Sequence, residues 1–236
     1  PDSTFVIPRG FALARLPSYT RRMIKAIVFD FDGVIVDSEP LHYRAFLKTA
    51  QAQGFPVDFN YQEYLQKYVG FDDRDGFRAM IESLDAGAVM TAEFPRTIEA
   101  LCTRKRDVFA DIVREGFETI PGAIELIKGL PGDFPIAIAS GATRNDIDII
   151  LDKLGIAARF NPIVSASDVH KSKPDPQTYR MALEGLQKQV ALKPGEVVAI
   201  EDTAAGIESA RGAGLHTLGI TTTTDGANLH RAHRVI

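Results

Sequence analysis

Lys25-Ala26-Ile27-Val28-Phe29-Asp30-Phe31-Asp32-Gly33-Val34-Ile35-Val36-Asp37-Ser38-Glu39 is the stretch whose reading decides the fold. Ile27, Val28 and Phe29 form a short apolar run, as expected of a strand covered on both faces in a parallel sheet. Asp30, Asp32 and Gly33 break it. In open α/β sheets, ligands and catalytic groups gather at the carboxyl ends of strands. Residues two apart on a strand point to the same side, so Asp30 and Asp32 can meet one guest, although Gly33 bends the backbone near them. Carboxylates in that place suit a cation, a phosphoryl group, or both.

Downstream the rhythm changes twice. From Glu39 to about Phe117 strand alternation is missing, and Leu41, Ala45 and Phe46, then Leu101, Val108, Phe109, Ile112 and Val113, recur at helical spacing. Gly54-Phe55-Pro56, Gly70-Phe71-Asp72-Asp73 and Glu93-Phe94-Pro95 supply breaks between helices. From Pro121 strands and helices alternate. The spacing predicts strands at 136–140, 162–165, 197–202 and 216–220, and helices at 122–130, 143–154, 176–188 and 204–213. That alternation means a parallel sheet wrapped by helices. The reading is an α/β, Rossmann-like core of residues 23–38 and 117–236, interrupted after its first strand by an all-helical cap at 39–116. Residues 1–22 carry Arg9, Arg15, Arg21 and Arg22 against one acid, with three prolines, and read as a flexible extension ahead of Met23.

Composition removes several classes. A net charge of -4 gives no electrostatic reason to expect nucleic acid as a partner, since a phosphate backbone wants a basic face. The single cysteine, Cys102, excludes an internal disulfide and a multi-cysteine zinc site. No apolar run approaches the ~18 residues of a membrane span, and no secretory signal is legible, so no membrane partner and a cytoplasmic location are expected.

The later strand ends carry further chemistry. Strand 136–139 runs into Ser140-Gly141-Ala142-Thr143, where a hydroxyl and backbone N–H groups near a helix start suit phosphate oxygens. The next leads to Lys171-Ser172-Lys173-Pro174-Asp175-Pro176, and strand 197–200 ends in Glu201-Asp202. Singly each has a bland reading: a turn, a solvated lysine, a helix cap at Asp202. In a parallel sheet all four ends share one edge. The ordered set resembles the four motifs of the haloacid dehalogenase superfamily, from Asp30-Phe31-Asp32-Gly33-Val34 through Ser140-Gly141 and Lys173-Pro174 to Glu201-Asp202. The helical insertion resembles the members similar to phosphoglycolate phosphatase and beta-phosphoglucomutase.

The resemblance implies a magnesium-dependent phosphatase of a small phosphorylated metabolite, of sugar phosphate or phosphoglycolate type, working through an aspartyl phosphate. It implies Asp30 as nucleophile and Asp32 as the acid that protonates the leaving alcohol and then activates water. It implies Mg2+ on the Asp30 and Asp202 side chains and the Asp32 carbonyl, with Glu201 in the outer shell. Ser140, Gly141 and Lys173 would bind the phosphate. The true dehalogenases lack the second aspartate, so Asp32 points to phosphoryl transfer. A mutase of the beta-phosphoglucomutase kind is the alternative, and a non-catalytic protein on the same fold a minor one. His42, Arg74 and Lys105 are candidate substrate contacts in the cap, the mutase arginine aligning with either Asp73 or Arg74. The crossings at Asp37 to Pro40 and Gly116 to Pro121 predict a mobile lid.

Overall fold

A computed structural model describes residues 24–68, 71, 73–84 and 94–236. The 1–22 extension expected from the sequence lies outside the described residues. The chain forms two compact units, one ending at Asp37 and resuming over Glu118–Ile236, the other Ser38–Phe117.

In the first unit six parallel strands, β1 (Ala26–Phe29), β2 (Ile136–Ala139), β3 (Ile163–Val164), β4 (Val197–Glu201), β5 (His216–Gly219) and β6 (Arg234–Val235), lie in the order β3-β2-β1-β4-β5-β6. Every residue of β1, β2 and β4 is buried, which explains why these strands read as unbroken apolar runs. Ala26 and Val28 join Ala137, Ala139 and Ala199 in one core layer. On the other face Phe29 meets Phe160 edge to face at 6.0 Å. The alanines leave room for α7 (Gln177–Gln187), whose Tyr179, Ala182, Leu183 and Leu186 fill that layer. Helices α5 (Ala123–Gly129), α6 (Arg144–Leu154) and α8 (Ala204–Gly212) complete the alternation and match the expected spans within two residues.

Strand order reverses beside β1. From β1 the chain builds outward through β2 to β3, then returns to place β4 on the other side. That switch point opens a crevice at the strand carboxyl ends. Residues Phe29 and Ile200 lie in register across it, and the Asp30 N–H donates to the Ile200 carbonyl at 2.9 Å. Beyond β5, Arg234 and Val235 pair with Leu218 and Gly219. A strand of two residues gives no alternation to read, so β6 is absent from the sequence-based scheme.

The second unit holds α1 (Glu39–Ala52), α2 (Tyr61–Lys67), α3 (Asp73–Leu84) and α4 (Phe94–Glu115). The apolar positions picked out by spacing, from Leu41, Ala45 and Phe46 to Phe109, Ile112 and Val113, are all buried. An aromatic cluster fills the middle, with Phe46 stacked on Phe77 at 4.4 Å and flanked by Phe59, Tyr64 and Tyr68. Cys102 is half-buried on α4 with its thiol free.

Candidate active site

The site is assembled at the carboxyl ends of β1 and β4. After Phe29 the chain turns at once: the Gly33 N–H donates to the Val36 carbonyl at 2.8 Å and the Ile35 N–H to the Phe31 carbonyl at 2.8 Å. Gly33 has φ 69°, and a Cβ there would land on the Asp202 carboxylate, so this position needs glycine for both conformation and space. The turn leaves Asp30 buried at the strand end and Asp32 half-buried two residues on.

Three buried acids converge. Asp30, Glu201 and Asp202 each offer a carboxylate oxygen within 4.8 Å of the others. Lys173 stands among them, its Nζ 2.8 Å from Asp30 Oδ1 and 2.6 Å from Glu201 Oε1. Glu201 is the most heavily bonded of the three. Its Oε1 also accepts from the Tyr179 hydroxyl at 3.1 Å, and its Oε2 accepts from the N–H groups of Asp202 and Thr203, each at 3.0 Å, and from the Thr203 hydroxyl at 2.9 Å. Helix α8 begins tight against that carboxylate, because a Cβ on Gly206 would overlap it. The cap of α8 is Thr203, whose Oγ accepts from the Gly206 N–H at 3.1 Å, which frees Asp202 from the capping role it was also suited to.

The charges are out of balance. Burial, with Glu201 nearby, pushes the Asp30 carboxyl well above the usual range despite Lys173. Burial likewise pushes Asp202 up to about 6. For Glu201 burial acts in the same direction, but Lys173 and the Thr203 bonds outweigh it and hold the carboxyl below its ordinary value. Burial alone would lower the Lys173 ammonium; Asp30 and Glu201 hold it above an ordinary lysine. Among the described residues, one cation, Lys173, therefore faces these three acids. Asp202 Oδ1 is buried with no hydrogen-bond partner, a costly arrangement that a cation at this point would relieve. The donor set, all carboxylate oxygen, suits a hard divalent ion.

Ser140 is buried at the end of β2, its N–H donating to the Val164 carbonyl at 2.9 Å. Its Oγ accepts from the Ala142 N–H at 2.9 Å, which leaves the hydroxyl proton to be donated elsewhere. Gly141 is exposed beside it. The first unit thus brings Asp30, Lys173, Glu201 and Asp202 together, with Asp32 close enough to raise the Asp30 carboxyl further.

Within the second unit, Lys105 is 5% exposed, with its Nζ 3.3 Å from His42 Nδ1 and ion-paired to Asp73. His42 stacks on Phe109 at 4.6 Å, and burial, with Lys105 beside it, lowers its imidazole to about 3. It is therefore neutral at pH 7, accepting from the ammonium at Nδ1 and carrying its proton on Nε2. Arg74 is not in this cluster; it pairs with Glu99 at 2.5 Å on the exposed surface.

Sequence reasoning did not single out Tyr179, Thr203, Asp73 as a partner of Lys105, or the threonines after β5. The run Thr221–Thr224 is too short to interpret as sequence, yet the Thr222 hydroxyl donates to the Gly33 carbonyl at 2.5 Å and lies 3.5 Å from Asp202 Oδ2. Its place after a parallel strand was the available signal.

The profile of the haloacid dehalogenase-like hydrolase family matches residues 27–220. The chain belongs to that family. Among other haloacid dehalogenase-like proteins, it is 29% identical over 198 residues to the phosphorylated carbohydrates phosphatase of Thermotoga maritima, covering 83% of this chain and 84% of that protein. To the beta-phosphoglucomutase of Bacillus subtilis it is 27% identical over 200 residues, 84% and 83% of the two chains. The crystal structure of a point mutant of CbbY from Rhodobacter sphaeroides in complex with xylulose-(1,5)bisphosphate superposes with a TM-score of 0.75 at 26% identity, covering 91% of this chain and 94% of that one.

Proposed function

We propose that this haloacid dehalogenase-like hydrolase is a magnesium-dependent phosphatase of a phosphorylated sugar, working through an aspartyl phosphate on Asp30. The observation that carries the reading is the buried group of Asp30, Glu201 and Asp202 around one lysine. The phosphorylated carbohydrates in the name of one relative and the sugar bisphosphate bound in the structure of another support the substrate class.

Asp30 Oδ attacks phosphorus, and the P–O bond to the sugar breaks as the acyl phosphate forms. Asp32 gives its proton to the departing sugar oxygen; the resulting carboxylate then takes a proton from the water that cleaves the acyl phosphate, returning Asp30 and releasing orthophosphate. Lys173 and the Ser140 hydroxyl, with the Gly141 N–H, stabilise the transferring group's oxygens. The Asp30 and Asp202 side chains and the Asp32 carbonyl would hold magnesium, which would supply charge neutralisation beyond what Lys173 gives. Buried carboxylates with raised proton affinity suit this chemistry only when that neutralisation is present, so activity should require the metal.

The mutase alternative needs the enzyme to hold a phosphoryl acceptor that itself carries a phosphate. Both candidate cap cations are already paired, Lys105 with Asp73 and Arg74 with Glu99, which favours hydrolysis. Phosphorus NMR of the protein with magnesium and a mixture of hexose 1-phosphates, pentose phosphates and phosphoglycolate tests the reading. Orthophosphate released from a sugar phosphate supports it; conversion of a 1-phosphate to a 6-phosphate without orthophosphate would replace it with the mutase.

A further inference from the structure

Tyr179 is fully buried on α7, in a core layer otherwise built from alanine, valine and leucine. A phenylalanine would fill the same space without burying a hydroxyl, and a buried hydroxyl is costly unless bonded. Its bond goes to Glu201 Oε1 at 3.1 Å. The ring of the same residue lies under the Lys173 ammonium, with Nζ 5.1 Å from its centroid. Glu201 receives five hydrogen bonds in all, against about four lone-pair sites on a carboxylate, so it has little left to offer a metal.

We infer that Tyr179 is a positioning residue: its hydroxyl pins Glu201 and its ring backs Lys173, so that the pair aims the ammonium at Asp30. Glu201 on this account is a bracket for Lys173 rather than a direct ligand. The Thr203 and Asp202 N–H groups fix one carboxylate oxygen, and Tyr179 and Lys173 share the other. Without the hydroxyl, Oε1 keeps Lys173 alone among the described residues, and by pivoting about the fixed oxygen it can follow the ammonium away from Asp30. The inference rests on the proposed role of Lys173 at the phosphoryl group.

The test compares wild type with Tyr179→Phe, Tyr179→Leu and Lys173→Met, using p-nitrophenyl phosphate with magnesium, and follows the Lys173 ammonium by nitrogen-15 NMR in the metal-free protein. Tyr179→Phe keeps the ring and should lower kcat about tenfold with KM within about twofold, as expected for losing one bond to a charged group. Tyr179→Leu removes the ring as well and should lower it further. Wild type should show a slowly exchanging ammonium signal, held by Asp30 and Glu201, and that signal should broaden or vanish in Tyr179→Phe. A Tyr179→Phe protein with wild-type kcat and an unchanged ammonium signal overturns the inference while Lys173→Met remains inactive. Full activity in Lys173→Met would instead overturn the reading of the site, and this inference with it.

Discussion

Replacing Asp202 by asparagine should make the metal-free protein more stable, although it removes a ligand of the proposed metal site. Three carboxylates lie within 4.8 Å of one another with Lys173 as the cation between them. At that separation, with an effective dielectric of about 20, one pair of like charges costs about 3 kcal/mol. The Asp202 carboxyl gives a second measure: raised from 3.8 to about 6 by burial, it stores about 3 kcal/mol of penalty in the folded, ionised form. Because the folded value is the higher one, the penalty is absent below the ordinary carboxylate value, grows as pH rises, and is complete above about 6. Asp202→Asn should therefore raise the unfolding free energy in EDTA by about 2–3 kcal/mol near pH 7.5, and by much less near pH 4. Magnesium should reverse the order. At a hundredfold excess over its dissociation constant it adds about 2.7 kcal/mol to the wild type and should add little to the variant. Urea unfolding with EDTA and with magnesium chloride reads both effects. A variant no more stable than wild type in EDTA, with its magnesium response intact, would refute the charge-imbalance reasoning.

Other expected outcomes follow the same geometry. Gly206→Ala should gain ~0.5–1 kcal/mol from helix propensity alone, but the new Cβ overlaps the Glu201 carboxylate; overpacking of this kind costs about 1–3 kcal/mol, so a net loss in urea unfolding is expected. His42 is lowered from 6.5 to about 3, so the stability it contributes is present above its ordinary value and lost as pH falls. Between about pH 7.5 and 4.5, wild type should lose about 3 kcal/mol relative to His42→Gln; parallel pH profiles would contradict this. Phe46→Ala removes a ring stacked on Phe77 and should cost about 3–5 kcal/mol, read as loss of hydrogen-exchange protection over Glu39–Ala52.

The parts of the fold legible in the sequence were those in which burial writes a period. The strands β1, β2 and β4 are covered on both faces and appear as runs such as Ile136 to Ala139. Leu101 to Val113 shows its inward face at helical spacing. Asp30, Ser140, Lys173 and Glu201-Asp202 stood out because they interrupt or follow those runs, which is what strand ends at a shared edge must do. Tyr179 did not stand out, since an aromatic at a helical core position looks like packing whether or not its hydroxyl is used. Neither did Thr222, whose link to Gly33 spans most of the chain and leaves no local pattern. The pairing of Lys105 with Asp73 was hidden for the same reason: helices α3 and α4 meet only in three dimensions, and spacing along one helix says nothing of charges on another.

Phosphoryl transfer through Asp30 requires a covalent intermediate there, and the most direct measurement looks for it. The protein is acid-quenched during turnover of p-nitrophenyl phosphate with magnesium and reduced with borohydride, which converts an acyl phosphate to the corresponding alcohol. Peptide mass mapping then locates the change. Reduction is expected at Asp30 alone, dependent on substrate and lost in Asp30→Asn. A protein that turns over substrate while every aspartate in the map stays unreduced, or with the label on another residue, would contradict it.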